Sequence, residues 1–372
     1  MKDYIFTSES VTLGHPDKIC DFIADCILDE ALKQDKYSKM AVEVTIKDEI
    51  VFIYGEASTN AKIDYEQIAK QCLREIGYHE DYHVILKISK QSKEIHQAVD
   101  KQEVCAGDQG IMFGYACRET ESYMPAPIYY AHQLAFALSL AQKRHDFLGP
   151  DGKTQVSVEY KNGQVARIDT IVVSTQHTAM ASLDQIKEVV MQEVIQSTIP
   201  DGLLDEDTKY YINPSGSFIV GGSFGDSGTT GRKIICDTYG GMGRIGGGCL
   251  SSKDPSKVDR TGAYYARYVA KNIVANGLAD RCEIQVSYAI GQAKPISLMI
   301  DTFGTGLFSD QQIEEIVENN FDFCVQHMID ELDLYQPIYH LTSCYGHFGK
   351  EILTWEKVKK LNIPDHLMKK EG

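Results

Sequence analysis

Residues 216–260 read GSFIVGGSFGDSGTTGRKIICDTYGGMGRIGGGCLSSKDPSKVDR, and they concentrate residue types that could do chemistry. Twelve of the chain's 30 glycines fall between positions 216 and 248. Six cations (Arg232, Lys233, Arg244, Lys253, Lys257, Arg260) stand against four carboxylates (Asp226, Asp237, Asp254, Asp259), a local net charge of +2 in a chain of formal net charge −16. Glycine lets backbone approach a ligand closely, and clustered cations raise the local potential where the global field opposes it. Such a segment suits an anionic, phosphate-rich ligand.

Two familiar phosphate motifs do not fit. Gly241, Gly243 and Gly246 match GxGxxG after an apolar run at 234–236 that reads as a strand, but a dinucleotide site needs a helix to follow at once. Here a polar, proline-containing stretch intervenes and a helix begins only near Val258. GTTGRK has neither the spacing nor the Lys-Ser/Thr end of a Walker A loop. What remains is spread cations with carboxylates, and Mg²⁺ commonly takes one or two carboxylates plus phosphate oxygens. Lys253 and Lys257 are four apart, with Pro255 between them; Asp254 and Asp259 could hold metal or pair with these lysines. The residues alone indicate a phosphate-handling enzyme and leave its reaction open.

The elements that must position these groups follow from pattern. Ile19, Phe22, Ile23, Cys26, Ile27 and Ala31 recur at helical spacing, predicting a helix over 16–32 with Pro16 in its first turn. His15 and Asp17 then sit at its N-terminus, where the dipole favours anions; Asp17 there is an ordinary capping residue or a metal ligand. Alternation over 40–46 and 51–56 predicts a hairpin with Val42, Val44 and Ile46 on one face and Glu43 on the other, Glu56 closing the second strand before a helix at 65–76. The same hairpin-then-helix order returns around Asn162–Gly163, with a helix over 183–195, and again at 283–305, with a helix over 310–323. Three such units suggest an internal triplication in an α+β arrangement of two-layer repeats, each a sheet with helices on one face. A helix is also expected over 128–143, and the polar stretch 90–104 reads as a surface connection or a lid. Asp151 and Lys153 flank a glycine just before a strand.

Length and composition set bounds. At 372 residues, two or three domains are expected and no disulfides are needed. The ten cysteines include no CxxC pair, which fits reduced thiols in a cytoplasmic protein better than a zinc site. The acidic balance argues against nucleic acid and anionic membranes as partners, and no apolar stretch is long enough to span a bilayer.

In this order, FTSESV…GHPDK, GDQGIMFGYA, INPSG, FIVGG, TGRKIICDTYGG, GGG…KDPSKVDR, VSYAIG and YGHFG resemble the S-adenosylmethionine synthetase (methionine adenosyltransferase) family over nearly the whole chain. The resemblance implies three intertwined repeats, with domains at 1–93, 104–218 and 219–364. It implies a homodimer or homotetramer with shared active sites, two Mg²⁺ per site and an activating K⁺. The implied reaction is attack of methionine sulfur on C5′ of ATP to form S-adenosylmethionine, then hydrolysis of the tripolyphosphate to phosphate and diphosphate. By resemblance His15 donates a hydrogen bond at the O5′–triphosphate bond, and Asp17 and Asp259 hold Mg²⁺. Lys153, Arg232, Lys233 and Lys253 clamp the phosphates; His15, Lys153, Arg232 and Lys253 make up the implied catalytic set. Asp151, Ser217, Phe218, Asp226 and Cys249 contact ATP. Glu56, Gln91, Asp108, Asp226 and Lys257 surround methionine, Glu43 holds K⁺, and residues from Gln91 to about 101 form a gating loop.

The chain departs from the family pattern at several positions. Ser217 replaces the usual Arg and Ser223 the usual Pro. Cys249-Leu250-Ser251-Ser252 stands for Ala-Phe-Ser-Gly, Leu13 for Glu, Cys324-Val325 for Arg-Pro, and the gating loop is about three residues shorter. Cys249 near the nucleotide predicts thiol sensitivity. Two other classes compete: another ATP enzyme, such as a kinase or ligase with different products, and a silent binding relative.

Overall fold

The computed structural model describes residues 3–90 and 104–368. A β-α-β-β-α-β order runs through the first two thirds twice. The first pass is β1 (Tyr4–Val11), α1 (Pro16–Gln34), β2 (Lys39–Lys47), β3 (Ile50–Ser58), α2 (Tyr65–Ile76) and β4 (His83–Ser89). The second is β5 (Gly110–Cys117), α3 (Ala126–Arg144), β6 (Leu148–Lys161), β7 (Gln164–His177), α4 (Leu183–Val189) and β8 (Lys209–Ile212). The third pass opens with two single turns, α5 (Gly222–Gly225) and α6 (Ile234–Asp237), around β9 (Gly228–Thr229). It continues with α7 (Val258–Ala275), β10 (Arg281–Tyr288), β11 (Ser297–Asp301) and α8 (Asp310–Asn320), before the short helices α9 (Val325–Glu331) and α10 (Asp365–Met368).

The expected α+β repeats are present, and their interlocking follows one rule: the first strand of each pass leaves its own repeat. β1 pairs antiparallel with β6, β5 with β10 and β9 with β2. The sheets are therefore β1-β6-β7-β8, β11-β10-β5 and β4-β3-β2-β9. Each repeat completes the sheet of the next in a closed cycle, so no sheet assembles from its own repeat alone.

The local predictions hold where the period is strong. Asn162 and Gly163 both take positive φ (53° and 80°), as a type I′ hairpin turn requires. Val42, Val44 and Ile46 are buried as one face of β2. The helix expected over 183–195 is α-helical to Val189 and then widens to a π-turn at Val190–Ile195. The strand expected at 234–236 is instead the helical turn α6. Three apolar residues carry no period, and the turn buries Cys236 and Asp237 while leaving Ile235 exposed. Asp151 and Lys153 lie inside β6, where a register irregularity separates Leu148 from Gly152.

One face of α1 organises the C-terminal third. Asp17, Asp21, Asp25 and Asp29 recur every four residues and are buried, and each takes partners far along the chain. Asp17 accepts the Thr229 N–H at 3.0 Å and Asp21 the Gly231 N–H at 2.8 Å. Asp21 and Asp237 share the buried Lys18 ammonium. Asp25 binds Arg260 bidentately (2.9 Å at each oxygen) and accepts the Ser252 N–H at 2.9 Å. Asp29 accepts the N–H groups of Tyr339 and His340 at 2.9 Å each. The glycine-rich loop lies so close to the start of α1 that a Cβ at Gly228 would fall 2.1 Å from the Pro16 carbonyl oxygen.

A buried carboxylate or guanidinium left without its partner costs about 3–5 kcal/mol. Asp25→Asn is therefore expected to destabilise the fold by about that amount, read by urea unfolding; a loss below about 1 kcal/mol would remove the Asp25–Arg260 pair from the frame. Acid acts on a different group. Burial, with Lys350 and Lys18 nearby, holds His132 neutral down to about 3 instead of 6.5. The unfolded chain takes up this proton and the folded chain does not, so stability is full above pH 6.5 and is lost as pH falls toward 3. In His132→Asn the loss of stability between pH 6.5 and 4.5 is expected to be shallower than in the parent by differential scanning calorimetry; parallel curves would contradict this.

Candidate active site

The structure gathers the candidate residues into two groups. The first surrounds the N-terminus of α1. His15 caps the helix: its Nδ1 accepts the Asp17 N–H at 3.2 Å. Burial, with Lys233 and Lys153 nearby, lowers its pKa to about 4 against the pull of Asp17. The ring is therefore neutral at pH 7, and with Nδ1 accepting, its proton lies on Nε2 as a donor. Arg232 Nε and Lys233 Nζ sit 3.0 and 2.5 Å from the two oxygens of Asp17. Lys153, at the start of the β6 pairing with β1, meets Glu9 at 2.5 Å.

A second strip borders this group. Asp151 accepts the Gly222 N–H at 2.8 Å, and burial pushes its carboxyl up to about 6. Gln176 accepts the Asp151 N–H and donates to the Ile219 carbonyl, both at 3.2 Å. His177 Nε2 accepts the Phe218 N–H at 3.0 Å. These bonds hang the 217–222 loop beside β6, with Phe218 half-buried and Ser217 exposed. Asp226, just after α5, is exposed and faces Asp151 electrostatically.

The second group lines a cleft of about 300 Å³ walled by Lys39, Glu56, Asp108, Lys253, Lys257 and Asp259, among others. Lys253 is fixed at the start of β2 by a bridge to Ala41, and Asp254 clamps the neighbouring Met40 through N–H bonds in both directions (2.8 and 3.2 Å). Its ammonium lies 2.5 Å from Asp259, in the first turn of α7. Lys257 stands 3.7 Å from Asp254. A Cβ at Gly248 would fall 2.2 Å from the Asp259 carboxylate, so the glycine run gives that carboxylate its room. Glu43 lies beyond Lys253, accepting from the Ser252 hydroxyl at 3.0 Å; burial raises its carboxyl pKa.

Cys249 packs against Gly231, between the two groups. Burial pushes its thiol up to about 11, despite the nearby Lys253. At neutral pH it is a protonated, slow nucleophile, which argues against the expected thiol sensitivity. Gln91 and the expected gating loop lie outside the described residues. Sequence reasoning missed Glu9, Gln176, His177 and the Asp21–Lys18–Asp237 cluster beneath the cations. The repeat of Asp at every fourth position in an otherwise apolar helix was the available signal for the last.

The donors fit the implied ions. Asp17 and Asp259 are single carboxylates set among phosphate-seeking cations, the donor set Mg²⁺ uses when phosphate oxygens and water complete its shell. Next to Ser252, whose hydroxyl donates to Glu43, Ser251 carries a buried hydroxyl with no partner among the described residues, a spare oxygen for a monovalent cation.

Comparison with known proteins identifies the family. The N-terminal, central and C-terminal domain models of S-adenosylmethionine synthetase match residues 3–104, 103–218 and 220–357. An S-adenosylmethionine synthase of Desulfosudis oleivorans is 50% identical over 376 residues, covering 96% of this chain and 97% of that protein. Three consecutive domain matches and identity at this level over almost the full length lead to one conclusion: the chain belongs to the S-adenosylmethionine synthetase family.

Proposed function

We propose that the two groups are halves of one centre in which this methionine adenosyltransferase joins ATP to L-methionine. The observation that carries the reading is the pairing of cations with carboxylates in both halves: Arg232 and Lys233 on Asp17, Lys253 on Asp259. Triphosphate offers these cations several charged acceptor oxygens in place of the one carboxylate each pair now shares. The freed Asp17 and Asp259 would then hold the two Mg²⁺, which supply charge neutralisation for the phosphates.

The reaction moves negative charge onto O5′ as sulfur attacks C5′ and the tripolyphosphate leaves. His15, neutral with its proton on Nε2, donates to that oxygen, and Lys153, Arg232 and Lys253 stabilise the charge spreading along the phosphates. Asp151 and Asp226 contact the nucleotide, and Phe218 packs on the adenine beside Ser217 and Cys249. In the cleft, the carboxylates of Glu56 and Asp108 attract the methionine ammonium, and Lys257 its carboxylate. Glu43, joined to Ser252 in the turn that also carries the unpartnered Ser251 hydroxyl, takes K⁺.

The halves come from two copies of the chain. The outward face of the β2–β3–β4 sheet carries Glu43 and, among its charged residues, a row of Thr45, Phe52 and Ile85, with Phe52 stacked on Tyr54 at 4.8 Å. Pairing two such faces would bury that row and bring group one of one subunit to group two of the other. No helix among the described residues is long and apolar enough to cross a membrane, and the cysteines form no disulfide there, consistent with a cytoplasmic enzyme.

Subunit mixing tests the shared site. Asp17→Asn and Lys253→Ala should each lose most turnover as pure oligomers while remaining folded. Refolded together at equal amounts, half of the dimers are mixed and one site in each is intact, so about a quarter of the parent activity should return. No recovery in verified mixed oligomers would put both groups to work within one chain.

A further inference from the structure

Ser252 stands at an unusual backbone position for its residue type. Its φ is +76°, the left-handed region where glycine is at ease, and the residue is 1% exposed. Two bonds hold it there. Its N–H donates to Asp25 at 2.9 Å, tying it to the carboxylate face of α1. Its hydroxyl donates to Glu43 Oε1 at 3.0 Å, reaching from the Lys253 turn to β2. A serine in a conformation that favours glycine thus spends its side chain on the carboxylate expected to hold a monovalent cation.

We propose that Ser252 is a positioning residue that weakens monovalent-cation binding at Glu43 by occupying one of its carboxylate oxygens. A hydroxyl proton and a K⁺ ion draw on the same carboxylate oxygen. With the serine donating, the half-buried carboxylate is partly satisfied by protein, and less is gained when the cation arrives. Lys253 faces the same carboxylate, and Asp25 behind it is paired with Arg260, so the charge of Glu43 is already partly offset before a cation binds. Serine at 252 therefore makes the site less dependent on potassium than glycine would. The inference rests on the assignment of K⁺ to Glu43.

The test needs no substrate. The thermal midpoint of the purified protein is followed as KCl replaces tetramethylammonium chloride at constant ionic strength, and the half-saturating K⁺ concentration is read from the rise. Ser252→Ala removes only the hydroxyl; Ser252→Gly also relieves the left-handed backbone, so one of the two remains informative if the other folds poorly. Both are expected to lower the half-saturating concentration about tenfold, the size of one hydrogen bond to a charged group. An unchanged value overturns the proposal, and a raised one does too, because it makes the hydroxyl a ligand rather than a competitor. Glu43→Gln separates the underlying assignment. It should abolish the K⁺ response, and a response that survives there moves the cation site elsewhere, whatever Ser252 does.

Discussion

Four buried carboxylates on one helix set the terms for this protein. Asp17, Asp21, Asp25 and Asp29 of α1 cannot remain ionised inside the protein without donors, and α1 itself supplies only Lys18. The donors come from residues 229–260 and 339–343, which are thereby bound to the helix at four successive levels. A glycine-rich segment with little secondary structure of its own gains a fixed path in this way. Its side chains end where the helix dipole, His15 and the cleft under α7 can use them.

The same constraint joins fold to chemistry. Asp17 and Asp21 are neighbours on one face, yet they have different work. Asp21 is enclosed with Lys18 and Asp237, and burial pushes its carboxyl up to about 7. It acts as an anchor for the Gly231 backbone. Asp17 lies at the helix end, where Arg232 reaches it from solvent with a side chain about half exposed. A pair built from one buried and one accessible partner can exchange partners, and exchange is what a polyphosphate substrate asks of it. In the other group Lys253 and Asp259 are both partly exposed, so that pair too can be opened by a ligand.

Periodic elements were legible in the sequence, and aperiodic ones were not. α2 matched its expected bounds because its apolar spacing is regular and Gly77 ends it in the left-handed region. The Asn162–Gly163 turn was specified by residue type alone. α6 was misread because a three-residue apolar run suits strand or helix equally, and the decision rested on Asp237 finding Lys18. The interlocking of the repeats was expected only through the family resemblance, because the strands that exchange carry no local signal: β9 is two residues long, and β1 pairs with a strand some 150 positions away. The cationic segment was visible as composition. The roles within it came from the family resemblance, while the α1 carboxylate face was present in the sequence as a four-residue repeat and went unread because Asp on a helix is usually solvated.

Exchange of partners at Asp17 and Asp259 is the step on which substrate binding depends. The direct measurement is a crystal structure with Mg²⁺, methionine and a non-hydrolysable ATP analogue. Arg232 and Lys233 should have left Asp17, and Lys253 should have left Asp259, for phosphate oxygens, with metal on both carboxylates and the two groups supplied by different subunits. Phosphates bound while these ion pairs remain intact would contradict it.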